Sequence, residues 1–308
     1  MAARPERLNL AVAKRCYVAC RGCYTYFGGR EPDLAALESS VAAFVRLGIG
    51  DVTLSGGDPL TIDGLSEFLH RLRDCGVQSI KVDTVGVDLQ QSSAEGSGPS
   101  RKLTELLGAA DFLGIPLDGW SNESVQLFRR GRRALYAETT SLLDLLDSLG
   151  GPSRVVVNTV AHRGNLADLD RIGAEVLRHG AVAHWNIFQY TPTDQAAAHD
   201  SRHLAVGDEA FARAEAELMA SLPASTNRRA LPSIAFRSSG SRVGQYLLIN
   251  SDGDAWLPDA LGRTVLLGNV YGEEARILQR WVQAVAALQQ RSIRASIPRK
   301  AVRMVAAS

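Results

Sequence analysis

Six short apolar runs alternate with segments of helical apolar spacing, and this alternation restricts the fold of the chain more than any other feature. The runs predicted as strands are 8–13, 52–54, 79–82, 112–117, 154–160 and 183–188. The segments predicted as helices are 34–47, 65–72, 103–107, 135–149, 166–177 and 210–222. Repeated βα units predict a parallel sheet with right-handed crossovers. Because six units are too few for a closed eight-stranded barrel, we expect an α/β fold, either an open, partial (β/α)6 barrel or a doubly wound sheet.

After the sixth unit the pattern of the sequence changes. Residues 223–241 are rich in Ser, Arg, Pro and Gly, which predicts a linker. Two apolar runs flank an Asp-Gly pair within residues 246–257, which predicts a β-hairpin, and a helix is predicted over 274–290. We therefore expect a partial barrel over residues 1–222 and a linker with a small C-terminal α+β cap over residues 223–308.

The charge balance gives no reason to expect nucleic acid or an anionic membrane as a partner, since the net charge is +1 over 308 residues. No apolar run approaches the roughly 20 residues needed to cross a bilayer. The first residues also lack the apolar core of a signal peptide. The protein is therefore expected to be cytoplasmic. The basic cluster at residues 129–133 is interpreted either as the solvated start of a helix or as a contact for an anion.

Three cysteines lie within eight residues, at Cys16, Cys20 and Cys23, directly after the first predicted strand. Such close spacing is a poor disulfide framework, and in a reducing compartment it indicates a metal-binding or catalytic site. Three thiolates on one loop can hold three irons of a 4Fe-4S cluster and leave the fourth iron open. A zinc site is the alternative. It usually has four ligands in paired spacing, and the nearest histidine in the sequence is His70.

The Cys-x3-Cys-x2-Cys loop after the first strand of a βα series resembles the signature of the radical S-adenosylmethionine (SAM) superfamily. The resemblance implies one 4Fe-4S cluster on these three cysteines, with its open iron chelated by the amino and carboxylate groups of SAM. It implies an enzyme that cleaves SAM reductively to methionine and a 5′-deoxyadenosyl radical, which abstracts a hydrogen atom from the substrate. It also implies a reductase, flavodoxin or ferredoxin as electron donor.

Further segments resemble the SAM-binding motifs of this superfamily. The sequence Gly-Gly-Asp-Pro at 56–59 resembles the Gly-Gly-Glu-Pro segment that holds the methionine ammonium, with Asp in place of the usual Glu. Arg129 or Arg130 falls where relatives carry an arginine that pairs with the methionine carboxylate. The SAM-binding residues that the resemblance implies are Gly56, Gly57, Asp58, Thr84, Asp118, Arg130 and Asn158.

The C-terminal part resembles a shortened form of an extension found in the same superfamily. Segment 248–270 is similar to SPASM or twitch extensions, in which cysteines bind auxiliary clusters. This sequence has no cysteine after Cys75, so the cap is expected to be a degenerate extension without a cysteine-ligated cluster. Segments 157–160, 185–189 and 246–249 also resemble viperin-like nucleotide dehydratases.

The expected substrate is a polar small molecule of sugar or nucleoside type, because no peptide-binding domain is evident; natural-product (antibiotic) biosynthesis is the expected setting. Tyr26, Gln189 and Tyr190 are the candidate substrate contacts. Cys75 is predicted on the face away from the cluster, which disfavours an epimerisation that ends in hydrogen donation by a cysteine. Dehydration, decarboxylation or rearrangement, a lyase-type reaction, is expected instead. The alternatives are a radical SAM maturase of a ribosomal peptide and a non-catalytic metal-binding protein.

Overall fold

The computed structural model describes residues 4–24, 31–93, 96–194, 202–222 and 231–296, and its centre is a ten-stranded sheet. Within these ranges the strands are β1 (Arg7–Ala13), β2 (Ala19–Cys20), β3 (Asp51–Gly56), β4 (Ser79–Asp83), β5 (Gln90–Ser93), β6 (Gly96–Pro99), β7 (Phe112–Pro116), β8 (Arg129–Arg130), β9 (Val155–Ala161), β10 (Val182–Gln189), β11 (Ser233–Arg237), β12 (Tyr246–Ile249), β13 (Asp254–Pro258) and β14 (Thr264–Asn269). The α-helices are α1 (Leu34–Arg46), α2 (Leu65–Asp74), α3 (Arg101–Ala109), α4 (Asn122–Val125), α5 (Leu135–Leu149), α6 (Leu169–Arg178), α7 (Asp208–Ser221) and α8 (Glu274–Ser296).

The strands of the main sheet follow the order β11-β10-β9-β7-β4-β3-β1-β12-β13-β14. Neighbours from β11 through β12 pair in parallel, and only the pairs β12–β13 and β13–β14 are antiparallel. All six strands predicted from apolar runs are present, and they lie side by side in chain order. The predicted α/β fold with a mostly parallel sheet is therefore confirmed, while its closure into a partial barrel stays a prediction.

The C-terminal strands extend the same sheet at both of its ends. Strand β11 lies inside the segment 223–241 that was predicted as a linker, so that prediction is wrong for residues 233–237. Ile234 and Phe236 pack against the core and alternate with Ser233, Ala235 and Arg237, a signal that the composition of the segment conceals. The predicted hairpin is confirmed as β12 and β13. A domain boundary at residue 222 stays a prediction.

The helices cover the sheet with one apolar face each. In α1, Leu37, Val41 and Phe44 are buried at helical spacing, and the Asp33 side chain caps the helix by accepting a hydrogen bond from the backbone N–H of Ala36 at 3.0 Å. Ser40 on the same helix is also buried and donates a hydrogen bond to the Val270 carbonyl at 3.2 Å. Among the described helices, none is long and apolar enough to cross a membrane.

The turn after β3 packs directly against the chain that leaves β1. The backbone N–H of Gly57 donates to the carbonyl of Ala13 at 2.6 Å, and that of Asp58 donates to the carbonyl of Arg15 at 2.7 Å. A Cβ atom at Gly57 would lie 1.9 Å from the Arg15 carbonyl oxygen, and Gly56 has a φ of +115°. Only glycines fit this contact, which fixes the start of the cysteine loop.

We predict that Gly57→Ala destabilises the protein, because its new Cβ would collide with backbone atoms that cannot turn aside. Overpacking of this kind typically costs about 1–3 kcal/mol, and urea unfolding of the purified protein measures it. The matched control is Gly108→Ala in α3, since a Cβ there meets nothing within 4 Å. The control should unfold at the same or a higher urea concentration than the wild type. Equal stability of Gly57→Ala and the wild type would contradict the proposed contact.

Candidate active site

The cysteine loop forms part of the wall of a cavity of about 760 Å³. Cys16, Cys20 and Cys23 all line this cavity, and their side chains are half-buried. Its volume is typical of ligand sites. Most of the residues predicted as cofactor or substrate contacts also line it, namely Gly56, Gly57, Asp58, Thr84, Arg130, Asn158, Gln189 and Tyr190. Two predicted residues do not: Asp118 lies behind the wall, and Tyr26 falls outside the described residues.

The donor set in the cavity wall fits a 4Fe-4S cluster, since it consists of three cysteine thiols on one loop. A zinc ion needs its ligands around one centre, whereas each cysteine of a 4Fe-4S cluster binds a different iron. Three cysteines spread along one loop in the wall of one cavity match the second requirement.

Arg129 connects the cysteine loop to the sheet. Cys20 in β2 pairs with Arg129 in the antiparallel strand β8, and the guanidinium Nη1 of Arg129 donates to Cys20 Sγ at 3.3 Å. Its Nε donates to the carboxylate of Asp118, whose side chain is fully buried. Burial raises the pKa of the Cys20 thiol, and the positive charge of Arg129 opposes that rise. The sequence left open which of the two neighbouring arginines is functional. Arg129 makes these contacts, and Arg130 is exposed at the cavity.

Asp118 is held by a hydrogen-bonded network behind the cavity wall. Its Oδ1 accepts from the backbone N–H of Val160 at 2.6 Å, and its carbonyl accepts from the amide of Asn165 at 2.8 Å. The Oδ1 of Asn165 accepts from the backbone N–H of His162 at 2.7 Å, and the His162 ring stacks on Phe128 at 5.4 Å. The structure therefore gives Asp118 a role in positioning Arg129, where the resemblance implied a contact to SAM.

His162 is a buried base in this network. Burial lowers its pKa from 6.5 to about 4, and its Nε2 has no hydrogen-bond partner among the described residues. The ring is thus neutral near pH 7, and it stacks on Phe128 while its Nδ1 accepts from the backbone N–H of Gly164 at 3.0 Å.

Asp58 is engaged within the protein. Its carboxylate accepts hydrogen bonds from the Thr84 hydroxyl at 2.8 and 2.9 Å, from the backbone N–H of Val85 at 2.8 Å and from that of Leu60 at 3.0 Å. Burial raises the pKa of Asp58, and these hydrogen bonds oppose the rise. Asp58 and Thr84 therefore tie the turn after β3 to the end of β4. An interaction of this segment with the SAM ammonium stays a prediction.

Asn158 belongs to a polar chain that crosses the inner face of the sheet. Its Nδ2 donates to Asp83 Oδ1 at 3.3 Å, and its Oδ1 accepts from the amide of Asn186 at 3.3 Å. Asp83 in turn pairs with Lys81 at 3.0 Å. All four residues line the cavity, so Asn158 lies where a bound polar molecule can exchange hydrogen bonds with it.

Gln189 and Tyr190 are the two substrate candidates among the described residues, and their surroundings differ. The Gln189 amide donates to Val206 and Asp208 and accepts twice from Ser239, so its four hydrogen-bonding positions are used inside the protein. Tyr190 is buried against the Phe128 ring, with centroids 5.5 Å apart. Gln189 therefore joins β10 to the segments around it, and a substrate contact by either residue stays a prediction.

Sequence reasoning missed most of the cavity wall outside the cysteine loop. The missed residues include Arg7, Asn9, Thr53, Lys81, Arg237, Arg242, Tyr246 and Trp256. The signal that could have found the strand residues is a polar side chain at alternate positions of an otherwise apolar strand, as at Asn9 and Thr53.

We predict that Arg129→Gln lowers the free energy of unfolding by about 3–5 kcal/mol, because it leaves the Asp118 carboxylate buried without its partner. Urea unfolding at one pH measures the loss. The double variant Asp118→Asn with Arg129→Gln removes both charges and keeps the acceptor for the Val160 N–H. It should be more stable than Arg129→Gln alone. If it is less stable, the buried pair is not the reason for the loss.

Stability should also fall as the pH drops from about 7 to about 5. In that window an unfolded chain protonates His162 while the folded chain keeps it neutral, so the unfolded state binds more protons. With pKa values of 6.5 and about 4, this group contributes a loss of about 2 kcal/mol. Denaturant unfolding of the wild type and His162→Gln at both pH values measures it. The variant should lose less stability than the wild type, and equal losses would contradict the assignment.

The sequence profile of the radical SAM superfamily matches residues 10–176, more than half of the chain. A probable GTP 3′,8-cyclase of Methanothermobacter thermautotrophicus is 34% identical over 91 residues, 28% of this chain and 30% of that protein. The sporulation killing factor maturation protein SkfB of Bacillus subtilis is 23% identical over 180 residues, 58% of this chain and 41% of that protein. The chain thus matches less than half the length of these curated relatives.

Among solved structures, Streptococcus suis SuiB bound to the precursor peptide SuiA has the same fold, with a TM-score of 0.68. The sequences are 13% identical, and the match covers 91% of this chain and 65% of SuiB. The profile match and the cysteine loop after β1 lead to one assignment: this chain belongs to the radical SAM superfamily, whose enzymes use a 4Fe-4S cluster and SAM.

Proposed function

We propose that this radical SAM enzyme abstracts a hydrogen atom from a polar small molecule, of sugar or nucleoside type, bound in the cavity beside the cysteine loop. The observation that carries the proposal is the polar inner wall of the cavity. The side chains of Asn9, Thr53, Lys81, Asp83 and Asn158 project into it from strands β1, β3, β4 and β9.

This wall contains buried polar atoms that lack a partner. Within the described part of the chain, neither Thr53 Oγ1 nor Asn9 Oδ1 has a hydrogen-bond partner, and Thr53 is almost fully buried. An unsatisfied buried polar atom costs about 1–3 kcal/mol. Both residues line the cavity, so its wall is better matched by a ligand rich in hydroxyl groups than by an apolar ligand.

The residues around the cysteine loop are proposed to hold the cofactors. Cys16, Cys20 and Cys23 would each bind one iron, and the Arg129 guanidinium would donate a hydrogen bond to the Cys20 sulfur. When bound, the cluster and SAM supply the electron and the 5′-deoxyadenosyl radical for hydrogen abstraction. Asn158 and Arg130, both at the cavity, are the proposed contacts to SAM.

Dehydration, decarboxylation or rearrangement, a lyase-type reaction, is the proposed chemistry. Epimerisation completed by a cysteine needs a thiol near the substrate. Cys75 caps the carboxyl end of α2 and precedes β4, and it is not among the residues that line the cavity. Its position therefore supports a reaction in which no cysteine of the chain donates the final hydrogen atom.

An external electron donor, a reductase, flavodoxin or ferredoxin, belongs to the proposal. The sequence has four cysteines, three of which lie in the loop, so Cys75 alone remains for any further cluster. The net charge of +1 supports an enzyme without nucleic acid or an anionic membrane as partner. A cytoplasmic location and a role in natural-product (antibiotic) biosynthesis are part of the same proposal.

The second candidate is maturation of a ribosomal peptide. It is favoured by the similarity to SkfB, a maturation protein, and by the fold shared with SuiB bound to a precursor peptide. The similarity to a GTP 3′,8-cyclase favours a nucleotide-type substrate instead. A peptide substrate would form its contacts mainly at the cavity mouth, whereas a small molecule would contact the polar wall.

The test is anaerobic reconstitution of the protein with iron and sulfide, followed by reduction in the presence of SAM. We expect a brown protein that releases 5′-deoxyadenosine. Cys20→Ala should lose both colour and release, because one iron would lack its thiolate. Cys75→Ala is the matched control and should keep both. Release of 5′-deoxyadenosine by Cys20→Ala at the rate of the wild type would overturn the assignment of the cluster.

The same assay separates the two substrate classes. Candidate sugars, nucleosides and short peptides are added in turn, and 5′-deoxyadenosine release is measured with each. Stimulation by a sugar or nucleoside that depends on Asn9, a residue of the polar wall, supports the small-molecule proposal. Stimulation by peptides alone would replace it with peptide maturation.

A further inference from the structure

Three arginines from different parts of the chain line the cavity. Arg7 lies on β1, Arg237 on β11, and Arg242 on the segment between β11 and β12. Arg7 is the register neighbour of Tyr246 on the adjacent parallel strand. Burial raises the pKa of Tyr246, and the charges of Arg237, Arg7 and Arg242 all oppose that rise. All three arginines and Tyr246 therefore line the same cavity.

The positive charge of these arginines is poorly balanced within the protein. Arg237 Nε is buried without a hydrogen-bond partner in the described structure. Within the described ranges, the Arg242 side chain donates to neutral oxygens, namely the carbonyls of Ser238 and Gln189 at 3.3 and 3.0 Å and the hydroxyl of Thr191 at 3.5 Å. Arg7 forms a long ion pair with Asp51, with 3.9 Å between Nη2 and Oδ2.

The carboxylates in the cavity wall are mostly engaged elsewhere. Asp83 pairs with Lys81 at 3.0 Å, and Asp259 pairs with Arg263 at 2.7 Å. Asp58 accepts hydrogen bonds from Thr84 and two backbone N–H groups. The negative charge of Glu6 raises the pKa of Tyr246, but the Glu6 side chain is exposed. Of the four acidic residues that line the described cavity, three are thus engaged elsewhere, and the fourth, Glu6, is exposed.

We propose that Arg7, Arg237 and Arg242 bind an anionic oxygen group of the substrate, a carboxylate or a phosphate. A guanidinium presents planar pairs of N–H donors that match two oxygens of such a group, and it remains charged when buried. The inference rests on the proposed function and narrows it. The substrate would be an acidic sugar or a phosphorylated sugar or nucleoside, with its hydroxyl groups on the polar wall and its anion at the arginines.

The test measures anion binding directly. The anaerobically reconstituted protein, saturated with SAM so that the cofactor site is filled, is melted in increasing inorganic phosphate, acetate or neutral acetamide at constant ionic strength. A ligand that binds the folded protein raises the melting temperature with its concentration. We expect phosphate or acetate to raise it and acetamide not to. Phosphate alone identifies a phosphorylated substrate, and acetate alone identifies a carboxylate.

The variants locate the bound anion. Arg237→Gln should raise the dissociation constant of the anion, determined from these melting temperatures, at least threefold. Arg7→Gln is the second variant if the first does not fold, since Arg7 makes only a long ion pair. Arg71→Gln, which removes an arginine paired with Glu38 on the outer surface, is the matched control and should bind like the wild type.

Two results would overturn the inference: no anion raises the melting temperature, or the rise is the same in the wild type and in the Arg237 or Arg7 variant. Because no step of this test requires cleavage of SAM, its failure is distinct from a failure of the 5′-deoxyadenosine assay. A protein that cleaves SAM but binds no anion at these arginines would keep the proposed function and lose the inference.

Discussion

The close backbone contact between the turn after β3 and the chain leaving β1 is the constraint on which the site depends. Two glycines bring the turn near enough for its N–H groups to bond the carbonyls of Ala13 and Arg15. The contact fixes the first residues of the cysteine loop. Through Asp58 and Thr84 the same turn is also tied to the end of β4. The loop that carries the thiol groups is thereby positioned by the two central strands of the sheet.

A buried ion pair positions the other side of the loop. Arg129 reaches from Asp118, behind the cavity wall, to the sulfur of Cys20 at its surface. Such a pair adds little net stability in itself, but removing one partner strongly lowers the free energy of unfolding. Its value here is geometric, because it ties one cysteine to strands β7 and β9 through the network around Asp118.

Much of the fold could be predicted because short apolar runs at regular intervals permit few arrangements other than a parallel sheet with helices. The cysteine loop was predictable for a similar reason, since three thiols in eight residues have few other uses. Strand β11 was not, because two apolar side chains in a segment rich in Ser and Arg carry too weak a signal. The roles of Gln189 and Asp118 could not be predicted either, because their partners lie far away in sequence.

The arginines of the cavity show the same limit. Arg7 lies more than two hundred residues before Arg237 and Arg242 in the sequence. In the folded protein β12 pairs with β1, and all three side chains line one cavity. A local motif can therefore predict the cofactor chemistry of this chain, whereas the properties of the substrate depend on contacts that form only in the folded sheet.

Metal and sulfide analysis of the anaerobically reconstituted protein tests the central claim most directly. If the three thiolates hold a 4Fe-4S cluster, each chain should contain about four irons and about four sulfides, with no zinc. A chain that binds about one zinc ion and neither iron nor sulfide would contradict the account.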